Sequence, residues 1–418
     1  MKFTAFNLKP QIIENLDKMG FRKPTDIQYK AITPIVNGDD VLAIAQTGTG
    51  KTAAFAIPAI NNLLYRSRKD TYQGVRCLIM EPTHELAVQT GAVVEKIAAN
   101  TGLSVLSIHG GVDQTPQIET LKKGVDILIA TPGRLFDLVH QGYITTFGAE
   151  ILILDEADHM LDMGFIDDIR QIVKYLPKRR QTLFFSATID EKIKKLAYSL
   201  VYKPVHIRIS PKNMVAKNVT HSLLHVPMDD KRFFMERIYH ENPDSRFIVF
   251  VRTRVRAERV LAAMKRVDIE AVNMHGDKNQ SERTKALESF RNGEVRMLIA
   301  TDVSSRGIDL PSVDYVVNYD VPDVPENYIH RVGRTGRGMN KGFAVTMCAP
   351  EEKEYLNAIE EYVGEKIEVI EMSKDDRKAT LDFSQESNTS WKTLISEEID
   401  KGIAKEESTK KAKKKASK

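Results

Sequence analysis

Two short segments carry residue types whose spacing is suited to binding and splitting a nucleoside triphosphate. The first is the turn AQTGTGKT at residues 45–52, after the apolar run 41–44, and the second is Asp155-Glu156-Ala157-Asp158, after the apolar run 151–154. A glycine-rich turn between a strand and a helix surrounds phosphates with backbone N–H groups and one lysine, here Lys51. Asp155 and the Thr52 hydroxyl are suited to hold Mg²⁺, largely through water, and Glu156 is suited to deprotonate an attacking water.

Each segment also has an interpretation without chemistry. The strict phosphate-loop pattern opens with glycine, and this chain has Ala45 there, so the turn could simply join a buried strand to a helix. The acidic segment on its own could be the solvated start of a helix. The two segments together, each directly after a buried strand, favour triphosphate binding.

The elements that must position these segments are predicted to be two sheets of buried strands. Short runs rich in Val, Ile and Leu alternate with longer amphipathic stretches, which is typical of parallel sheets with helices on both faces. The predicted strands are 41–45, 75–80, 104–109, 125–130, 150–154 and 181–186, then 221–226, 246–251, 269–274, 295–301, 313–319 and 342–348. The sequence therefore predicts an α/β protein with two tandem domains, each a mostly parallel sheet.

Length and composition agree with this division. A soluble chain of 418 residues, 42% hydrophobic and 28% charged, is long enough for two domains of roughly 150 to 200 residues. The segment 209–218 carries a proline and no apolar period, so we predict a first domain at 1–208, a linker at 209–218 and a second domain at 219–370. We expect the polar and then lysine-rich extension at 371–418 to be largely disordered.

The sequence also indicates where the protein works. It contains no apolar stretch long enough to span a bilayer, and the residues after Met1 lack the apolar core of a signal peptide. We therefore expect a cytoplasmic protein with no membrane partner. Cys77 and Cys348 each lie in a predicted buried strand, which favours core residues over a disulfide framework or a metal cluster.

The net charge of +4 is unevenly distributed. Residues 405–418 contain seven lysines and two glutamates, so this tail carries +5 and the rest of the chain carries −1. Any nucleic acid on the folded body must then be held by individually placed residues, whereas the tail could act as a mobile, salt-sensitive tether. The tail is equally explained as a solubilising disordered end.

Polar and glycine-containing segments follow nearly every predicted strand, at the edge where open parallel sheets bind ligands. They are Pro82–Ala87, Gly110–Gly111, Thr131–Arg134 and Ser186–Thr188 in the first half, and Arg252–Thr253, His275–Gly276, Thr301–Asp309 and His330–Arg337 in the second. Upstream, the turn 20–28 ends in Gln28, whose amide offers the donor and acceptor that an adenine edge requires. Taken alone, Gln28 would more often be an ordinary residue at the start of a helix.

This ordered set of segments resembles the DEAD-box family of ATP-dependent RNA helicases, in superfamily 2, from about residue 3 to residue 348. The compact second domain and the lysine-rich end are similar to the bacterial RhlE-type branch. The resemblance implies two RecA-like domains, ATP and Mg²⁺ as cofactors, and RNA as the partner, both single-stranded and in short duplexes. His84 stands where the family has arginine, which puts one RNA contact of the first domain in doubt but not the chemistry.

The resemblance implies roles residue by residue. The ATP-binding residues are Phe3, Phe21, Gln28, Thr47, Gly48, Thr49, Gly50, Lys51, Thr52 and Asp309, and the catalytic residues are Lys51, Asp155, Glu156, Arg334 and Arg337, with Mg²⁺ at Thr52 and Asp155. The RNA-binding residues are Pro82, Thr83, Gly110, Gly111, Thr131, Gly133, Arg134, Arg252, Thr253, Thr301 and Asp302. The residues that couple nucleotide state to the domain interface are Asp158, Ser186, Thr188, Arg306, His330 and Arg331. Phe3 has a second interpretation, as a residue that staples the first helix.

In this scheme Arg334 and Arg337 are arginine fingers that reach the γ-phosphate from the second domain. A finger on a separate domain stabilises the transition state only when the cleft is shut, and such fingers are worth roughly 10³ to 10⁵ in rate. The RNA-facing groups grip phosphates and 2′-hydroxyls and do not read sequence. The resemblance thus implies that closure bends one RNA strand and opens short duplexes without strong sequence preference.

Three other functions would also use a nucleotide-binding sheet of this kind. A DNA-directed helicase or translocase could use the same pair of sheets, although the glycine pair at 110–111 and the turn 20–28 favour RNA. A nucleotide-gated RNA clamp would hydrolyse ATP too slowly to remodel RNA, and a small-molecule kinase would leave the second sheet unexplained. The sequence does not select the RNA target, and ribosome-assembly or RNA-decay factors are the protein partners that the resemblance would allow.

Overall fold

The computed structural model describes residues 2–46, 48–66, 74–145, 148–209, 215, 218–302, 313–336 and 341–384. These residues divide into two compact units, one up to residue 209 and one from residue 215 onward. Each unit is built on a parallel sheet with helices packed against it, so the predicted α/β class with two tandem sheets is confirmed.

The sheet of the first unit has seven described strands, all parallel. They are β1 Val41–Ala45, β2 Cys77–Met80, β3 Val105–Ile108, β4 Ile127–Ala130, β5 Ile151–Leu154, β6 Gln181–Ser186 and β7 Val205–Ile209. Their order across the sheet is β3-β4-β2-β5-β6-β1-β7. Because the strands are parallel, their carboxyl ends and the loops that follow them all lie along one edge.

Nine described α-helices cover this sheet. They are α1 Pro10–Lys18, α2 Asp26–Asn37, α3 Lys51–Tyr65, α4 His84–Ala98, α5 Thr115–Lys122, α6 Pro132–His140, α7 Ala157–Asp162, α8 Ile166–Lys174 and α9 Glu191–Leu200, preceded by a 3-10 helix at Phe3–Ala5. Alternate strand residues enter two separate cores: Val41 and Ile151 pack with α2, α3 and α4, whereas Leu42 and Leu152 pack with α6, α8 and α9. A sheet buried on both faces therefore explains why its strands read as continuous apolar runs.

The second unit repeats the architecture. Its described strands are β8 Val219–His225, β9 Phe247–Phe250, β10 Ala271–Met274, β11 Met297–Ala300, β12 Tyr315–Asn318, β13 Gly342–Cys348 and β14 Glu368–Val369, in the order β10-β11-β9-β12-β13-β8-β14. Its described α-helices are α10 Lys231–Glu241, α11 Arg254–Arg266, α12 Gln280–Arg291, α13 Pro325–Val332, α14 Lys353–Val363 and α15 Lys374–Phe383, with a 3-10 helix at Pro350–Glu352. The rings of Phe247, Tyr315 and Phe343 stack across β9, β12 and β13, with centroids 5.2 and 5.1 Å apart.

Each sheet has one more strand than the sequence pattern predicts, and both additions lie at a sheet edge. Strand β7 buries only Ile207, and both residues of β14 are exposed, so neither shows the apolar run that marks the other strands. Ile209, which was predicted to begin the linker, is the last residue of β7. Inside the predicted disordered extension, residues 374–383 form α15, and residues from 385 onward lie outside the described part of the chain.

The described residues include both cysteines and all the helices listed above. Within those ranges, no helix combines the length and the apolarity that a bilayer crossing requires. Cys77 in β2 and Cys348 at the end of β13 are both buried and free, as expected of core residues.

Candidate active site

The turn after β1 has the backbone of a phosphate-binding loop. Gly48 and Gly50 adopt left-handed backbone angles, with φ of +79° and +91°, and α3 begins directly afterwards at Lys51. The Thr49 hydroxyl donates to the Gln46 carbonyl oxygen at 2.7 Å and closes the turn. The first N–H groups of a helix have no partner within the helix, so they are available to an anion. The predicted residue Thr47 lies outside the described residues.

Gln28 lies against this loop. Its side-chain oxygen accepts from the Thr25 backbone N–H at 3.0 Å, and its amide nitrogen donates to the Gly50 carbonyl oxygen at 3.2 Å. A Cβ atom at Gly50 would lie 2.6 Å from that nitrogen and would displace the Gln28 amide, and the left-handed backbone of this position independently favours glycine. The amide keeps one N–H and one oxygen lone pair for a ligand, and the reading of adenine by Gln28 stays a prediction.

The two predicted aromatic contacts to the adenine differ in their surroundings. Phe3 is buried in the core, and its ring centroid lies 6.5 Å from that of Phe6. Burial in this core agrees with the second interpretation of Phe3, a residue that staples the first helix, and that role also stays a prediction. Phe21 is half-buried against the same core. Contact of either ring with adenine stays a prediction.

The carboxyl ends of β1 and β5 bring Lys51 and Asp155 together. The Lys51 Nζ atom lies 3.8 Å from the Asp155 Oδ1 atom, and both side chains are 5% exposed. Burial by itself lowers the pKa of the Lys51 ammonium, but Asp155 and the carboxylates around it outweigh that effect and raise it. The ammonium group has no hydrogen-bond acceptor among the described residues. It is therefore a buried donor without an acceptor, and a phosphate oxygen would satisfy it.

The second residue of the acidic segment, Glu156, has an unusual backbone conformation. Glu156 has φ of +47°, a left-handed angle that a glutamate seldom adopts, and its N–H donates to the Asp155 carboxylate at 2.9 Å. Burial, together with the charge of Glu156 and against that of Lys51, raises the pKa of Asp155 to about 6. Strain and a raised pKa at the same place are typical of functional sites.

A further carboxylate, Glu81, lies in this cluster and was not predicted. It follows β2, which pairs with β5, and it is fully buried. One of its oxygens accepts from the Thr90 hydroxyl at 2.7 Å, and the other has no partner among the described residues. Burial, and then the charge of Asp155, raises the pKa of Glu81 well above its usual range. An acidic residue directly after a buried strand was the available signal in the sequence.

Asp158 links the acidic segment to the end of β6. Its Oδ2 atom accepts from the Ala187 and Thr188 N–H groups at 3.0 and 2.9 Å and from the Thr188 hydroxyl at 3.1 Å. The predicted coupling residues Asp158 and Thr188 are thus in direct contact. Ser186 is buried beside them, and its hydroxyl has no partner in the described part of the chain.

The oxygen donors around Lys51 fit a Mg²⁺ ion that is bound largely through water and phosphate. Asp155 offers hard carboxylate oxygens, and the Thr52 hydroxyl lies in the first turn of α3. Across the described ranges, no group of three or more His, Cys, Asp or Glu side chains forms a ready metal cage. These residues therefore suit a cation that keeps most of its waters and binds mainly to nucleotide phosphates.

The predicted RNA-binding residues of the first unit form a second cluster, after β2, β3 and β4. Thr83 caps α4 by accepting the Leu86 N–H at 3.3 Å, and the Arg134 guanidinium donates to the Val112 carbonyl at 3.0 Å and to Gln117 at 3.2 Å. The two Arg134 bonds connect the segment at 131–134 with the residues that follow the glycine pair at 110–111. Pro82 and Thr131 are buried beside them, and a Cβ atom at Gly133 would meet no atom within 4 Å, so the backbone there is open.

His84, the residue that departs from the family pattern, belongs to this cluster. Its ring stacks on that of His109, with centroids 5.2 Å apart and planes inclined by 30°. A Cβ atom at Gly110 would lie 3.4 Å from the His84 Nε2 atom, so the ring lies directly beside the glycine pair. His109 was not predicted from the sequence, because nothing about its spacing distinguishes it.

In the second unit, Arg252 is held by a buried charge network. Its guanidinium donates to Glu352 at 2.7 Å and to the Val321 carbonyl at 3.1 Å, and it lies over the Tyr355 ring. The other oxygen of Glu352 pairs with Lys231, which is fully buried and whose pKa is lowered by that burial. Neither Glu352 nor Lys231 was predicted. Thr253 caps α11 by accepting the Arg256 N–H at 3.2 Å.

The segment at 330–337 is anchored by Arg331. Arg331 is almost fully buried, and its guanidinium binds both oxygens of Asp302 at 2.6 and 2.8 Å, so a predicted coupling residue holds a predicted RNA-binding residue. Thr301 and Arg334 are buried, and His330 is half-buried. The predicted residues Arg306, Asp309 and Arg337 lie outside the described part of the chain.

Comparison with known proteins identifies similar sequences and structures. The family model described as DEAD/DEAH box helicase matches residues 25–196, and the model described as helicase conserved C-terminal domain matches residues 230–339. The ATP-dependent RNA helicase CshA of Listeria monocytogenes is 38% identical over 370 residues, which are 88% of this chain and 70% of that protein. The ATP-dependent RNA helicase RhlB of Shewanella frigidimarina is 39% identical over 380 residues, 90% of this chain and 87% of that protein. Among solved structures, S. cerevisiae Dbp5 bound to RNA and ADP BeF3 has a TM-score of 0.80 at 29% identity, covering 91% of this chain and 98% of that one.

Proposed function

The chain belongs to the DEAD-box family of ATP-dependent RNA helicases, and from this we propose how it works. ATP binding and hydrolysis are coupled to closure of its two RecA-like units, to bending of bound RNA and to local opening of short duplexes. Membership makes it an ATP-hydrolysing RNA helicase. The finer steps are supported by the chemistry of the residues in each unit. The RhlE-type branch stays a prediction.

The observation that carries the proposal is the pair formed by Lys51 and Asp155. A buried ammonium group without a hydrogen-bond acceptor lies 3.8 Å from a buried carboxylate at the start of a helix. Lys51 and the N–H groups of the loop supply positive charge for the terminal phosphates, and Asp155 and Thr52 are the residues that would hold Mg²⁺. When bound, the cation neutralises charge that develops on the phosphate oxygens.

Glu156 is proposed to act as the general base. It takes a proton from a water molecule while the water oxygen forms a bond to the γ-phosphorus and the bond from that phosphorus to the bridging oxygen breaks. ADP and phosphate are the products, and the bridging oxygen keeps the electron pair. The rigid turn at Glu156, with φ of +47°, supports this role because it limits the directions that the carboxylate can take.

The second unit is proposed to supply Arg334 and Arg337 to the γ-phosphate and Asp309 to the ribose. Arg334 follows Arg331, whose contacts with Asp302 and the Asp320 carbonyl anchor the end of α13. Because the backbone before Arg334 is anchored, we expect Arg334 to lose little conformational entropy when it binds a phosphate. Because these arginines belong to the second unit, we propose that hydrolysis requires closure.

RNA is proposed to bind the loops after β2, β3 and β4 in the first unit and those after β9 and β11 in the second. The residues there offer backbone N–H groups, threonine hydroxyls and a few guanidinium groups, which suit phosphates and 2′-hydroxyls. None of these contacts distinguishes one base from another. This chemistry supports binding without strong sequence preference.

The test is ATP hydrolysis with single-stranded RNA, with single-stranded DNA of the same sequence, and without nucleic acid, followed by strand displacement on a short RNA duplex. We expect strong stimulation by RNA, little by DNA, and ATP-dependent displacement. Equal stimulation by DNA would overturn the substrate assignment in favour of a DNA translocase. Hydrolysis that RNA stimulates without strand displacement would favour the RNA clamp. An ATP hydrolysis rate that neither RNA nor DNA changes would favour a kinase-like enzyme.

We also propose a cytoplasmic location. Both cysteines are free and buried, and free thiols are usual in a reducing compartment. Cell fractionation with an antibody to the protein tests the proposal, and recovery in the membrane or extracellular fraction would contradict it.

A further inference from the structure

A buried histidine lies beside the residue proposed to be the general base. His159 is the third residue of α7 and is 3% exposed, and its Nδ1 atom lies 3.7 Å from the Glu156 Oε2 atom. Among the described residues, neither ring nitrogen has a hydrogen-bond partner. No role in the chemistry described so far accounts for this side chain.

The local backbone keeps the two side chains together. Glu156 immediately precedes α7, and residues three apart at a helix start lie on the same face, so the ring faces the carboxylate. The Met160 N–H donates to the Glu156 carbonyl at 3.0 Å, and Asp158 is tied to Ala187 and Thr188. The pair is thus mounted on one short, anchored element and not on a mobile loop.

An unpartnered buried imidazole is costly. A buried polar group without a hydrogen bond has lost its hydration without compensation, and buried polar groups are satisfied in the great majority of cases. A leucine or methionine would fill the same space without this cost. We therefore expect the His159 ring to gain a hydrogen-bond partner when the site binds its substrates.

We propose that His159 is a positioning residue for ATP hydrolysis. In the tautomer with its proton on Nδ1, it donates a hydrogen bond to the Glu156 Oε2 atom and turns the other carboxylate oxygen toward the attacking water. The separation of 3.7 Å is longer than a hydrogen bond of about 2.7–3.2 Å, and catalytic hydrogen bonds commonly tighten only when the substrate is bound. His159 takes no proton in this step, because the proton from water stays on Glu156.

The inference rests on the proposed role of Glu156, and three substitutions test it. An asparagine at 159 places an amide nitrogen near the position of Nδ1, a glutamine places it near that of Nε2, and a leucine fills the space without a donor. The readouts are kcat and KM for RNA-stimulated ATP hydrolysis, the single-turnover rate at saturating RNA, and Tm as a check on folding.

We expect His159→Leu and His159→Gln to lower kcat and the single-turnover rate by about tenfold with KM within twofold, and His159→Asn to stay within threefold of the parent. A histidine that only fills space predicts a different order, because leucine would then be tolerated best. Equal rates in all three variants, or equal losses in the asparagine and glutamine variants, would overturn the inference.

A spectroscopic measurement with RNA and a non-hydrolysable ATP analogue bound makes the test independent of turnover. The ¹⁵N chemical shifts of the His159 ring report which nitrogen carries the proton and whether it is hydrogen-bonded. We expect a protonated Nδ1 whose shift changes in Glu156→Gln and does not change in the surface variant Glu119→Gln. A proton on Nε2, or a shift that is insensitive to Glu156→Gln, would contradict the proposal.

The double variant separates the two proposals from each other. Because His159 acts through Glu156, adding His159→Leu to Glu156→Gln should cause no further loss of rate. Normal turnover in Glu156→Gln would overturn the proposed base and this inference with it. An inactive Glu156→Gln beside a fully active His159→Leu would overturn only the role of His159.

Discussion

At the scale of single residues, the first unit concentrates carboxylates around one lysine. Asp155, Glu156, Asp158 and Glu81 all raise the pKa of Lys51, and Asp155 and Glu81 in turn have raised pKa values because they are buried. Such a cluster is costly without a ligand, since like charges repel and desolvation disfavours ionised carboxylates. It becomes favourable once a cation and a triphosphate share the space, so the residues are suited to binding more than to stability.

Glu156→Gln should separate binding from turnover. The amide keeps the size and polarity of the carboxylate but cannot take a proton from water, so we expect ATP and RNA binding within about threefold and turnover lower by roughly 10² to 10⁴. Turnover is measured with saturating RNA, and binding by fluorescence anisotropy of labelled RNA with an ATP analogue. The exposed Glu119→Gln is the control, and an active Glu156→Gln would remove Glu156 from its role.

Glu81→Gln should change how stability depends on pH. Burial raises the pKa of Glu81 in the folded protein, so the folded state binds this proton more tightly than the unfolded chain does. Stability from this group is then complete below the unfolded pKa and is lost as pH rises through the folded pKa. Removing the group should therefore raise Tm relative to the parent more at pH 8.5 than at pH 5.0.

The Tm measurements for Glu81 are made without nucleotide and with EDTA, so that no bound cation compensates the charge. Glu119→Gln again serves as the control, because its side chain is exposed. A Tm difference between Glu81→Gln and the parent that is constant with pH would show that Glu81 does not hold the extra proton.

At the scale of elements, the proposed site residues lie where strands end and helices begin. Lys51 opens α3, Thr83 caps α4, Thr253 caps α11, and Glu156 immediately precedes α7. Helix starts present unpaired N–H groups, and parallel strands direct all of these starts to one edge of each sheet. The edge strands β7 and β14 serve a different purpose, because they complete each sheet without carrying any predicted site residue.

Helix α15 should stabilise the second unit. The Arg237 guanidinium of α10 donates to the Thr380 hydroxyl at 2.6 Å, and the Ser384 hydroxyl binds Glu236 where both are buried. We expect a chain that ends after Ser384 to keep the parent Tm, and a chain that ends after Met372 to lose about 2 kcal/mol, or roughly 5 °C. Equal Tm values for the two truncations would show that α15 contributes nothing.

At the scale of the whole molecule, the two units share one architecture but differ in their charged residues. The first unit concentrates buried acids near Lys51, whereas the second buries cations such as Lys231 and Arg331 in networks with Glu352 and Asp302. The net positive charge of the chain lies in its last fourteen residues, 405–418, which carry +5, whereas the rest carries −1. Salt-dependent attraction between such a segment and RNA would require no defined contact.

Deletion of residues 405–418 should weaken RNA binding in low salt and spare hydrolysis. We expect RNA affinity to fall several-fold at 50 mM salt and to differ little at 300 mM, because counterion release supplies the attraction. ATP hydrolysis at saturating RNA should stay within twofold of the parent. A chain of full length with the seven tail lysines replaced by glutamine controls for length, and unchanged affinity in both variants would make the tail a solubilising segment.

Much of this organisation could be read from residue order alone. Continuous apolar runs located twelve of the fourteen described strands, because a strand buried on both faces must be apolar throughout, and the segments after them located Lys51, Asp155 and Glu156. Strands β7 and β14 escaped detection, since β7 buries one residue, β14 buries none, and neither shows an apolar run. Contacts between distant positions, such as Glu81 with Thr90, His84 with His109 and Arg252 with Glu352, depend on which strands are neighbours and which side chains are buried together. Sheet order and desolvation arise only when the chain is folded, so the carboxylates that surround Lys51 and the unpartnered ring of His159 could be found only in three dimensions.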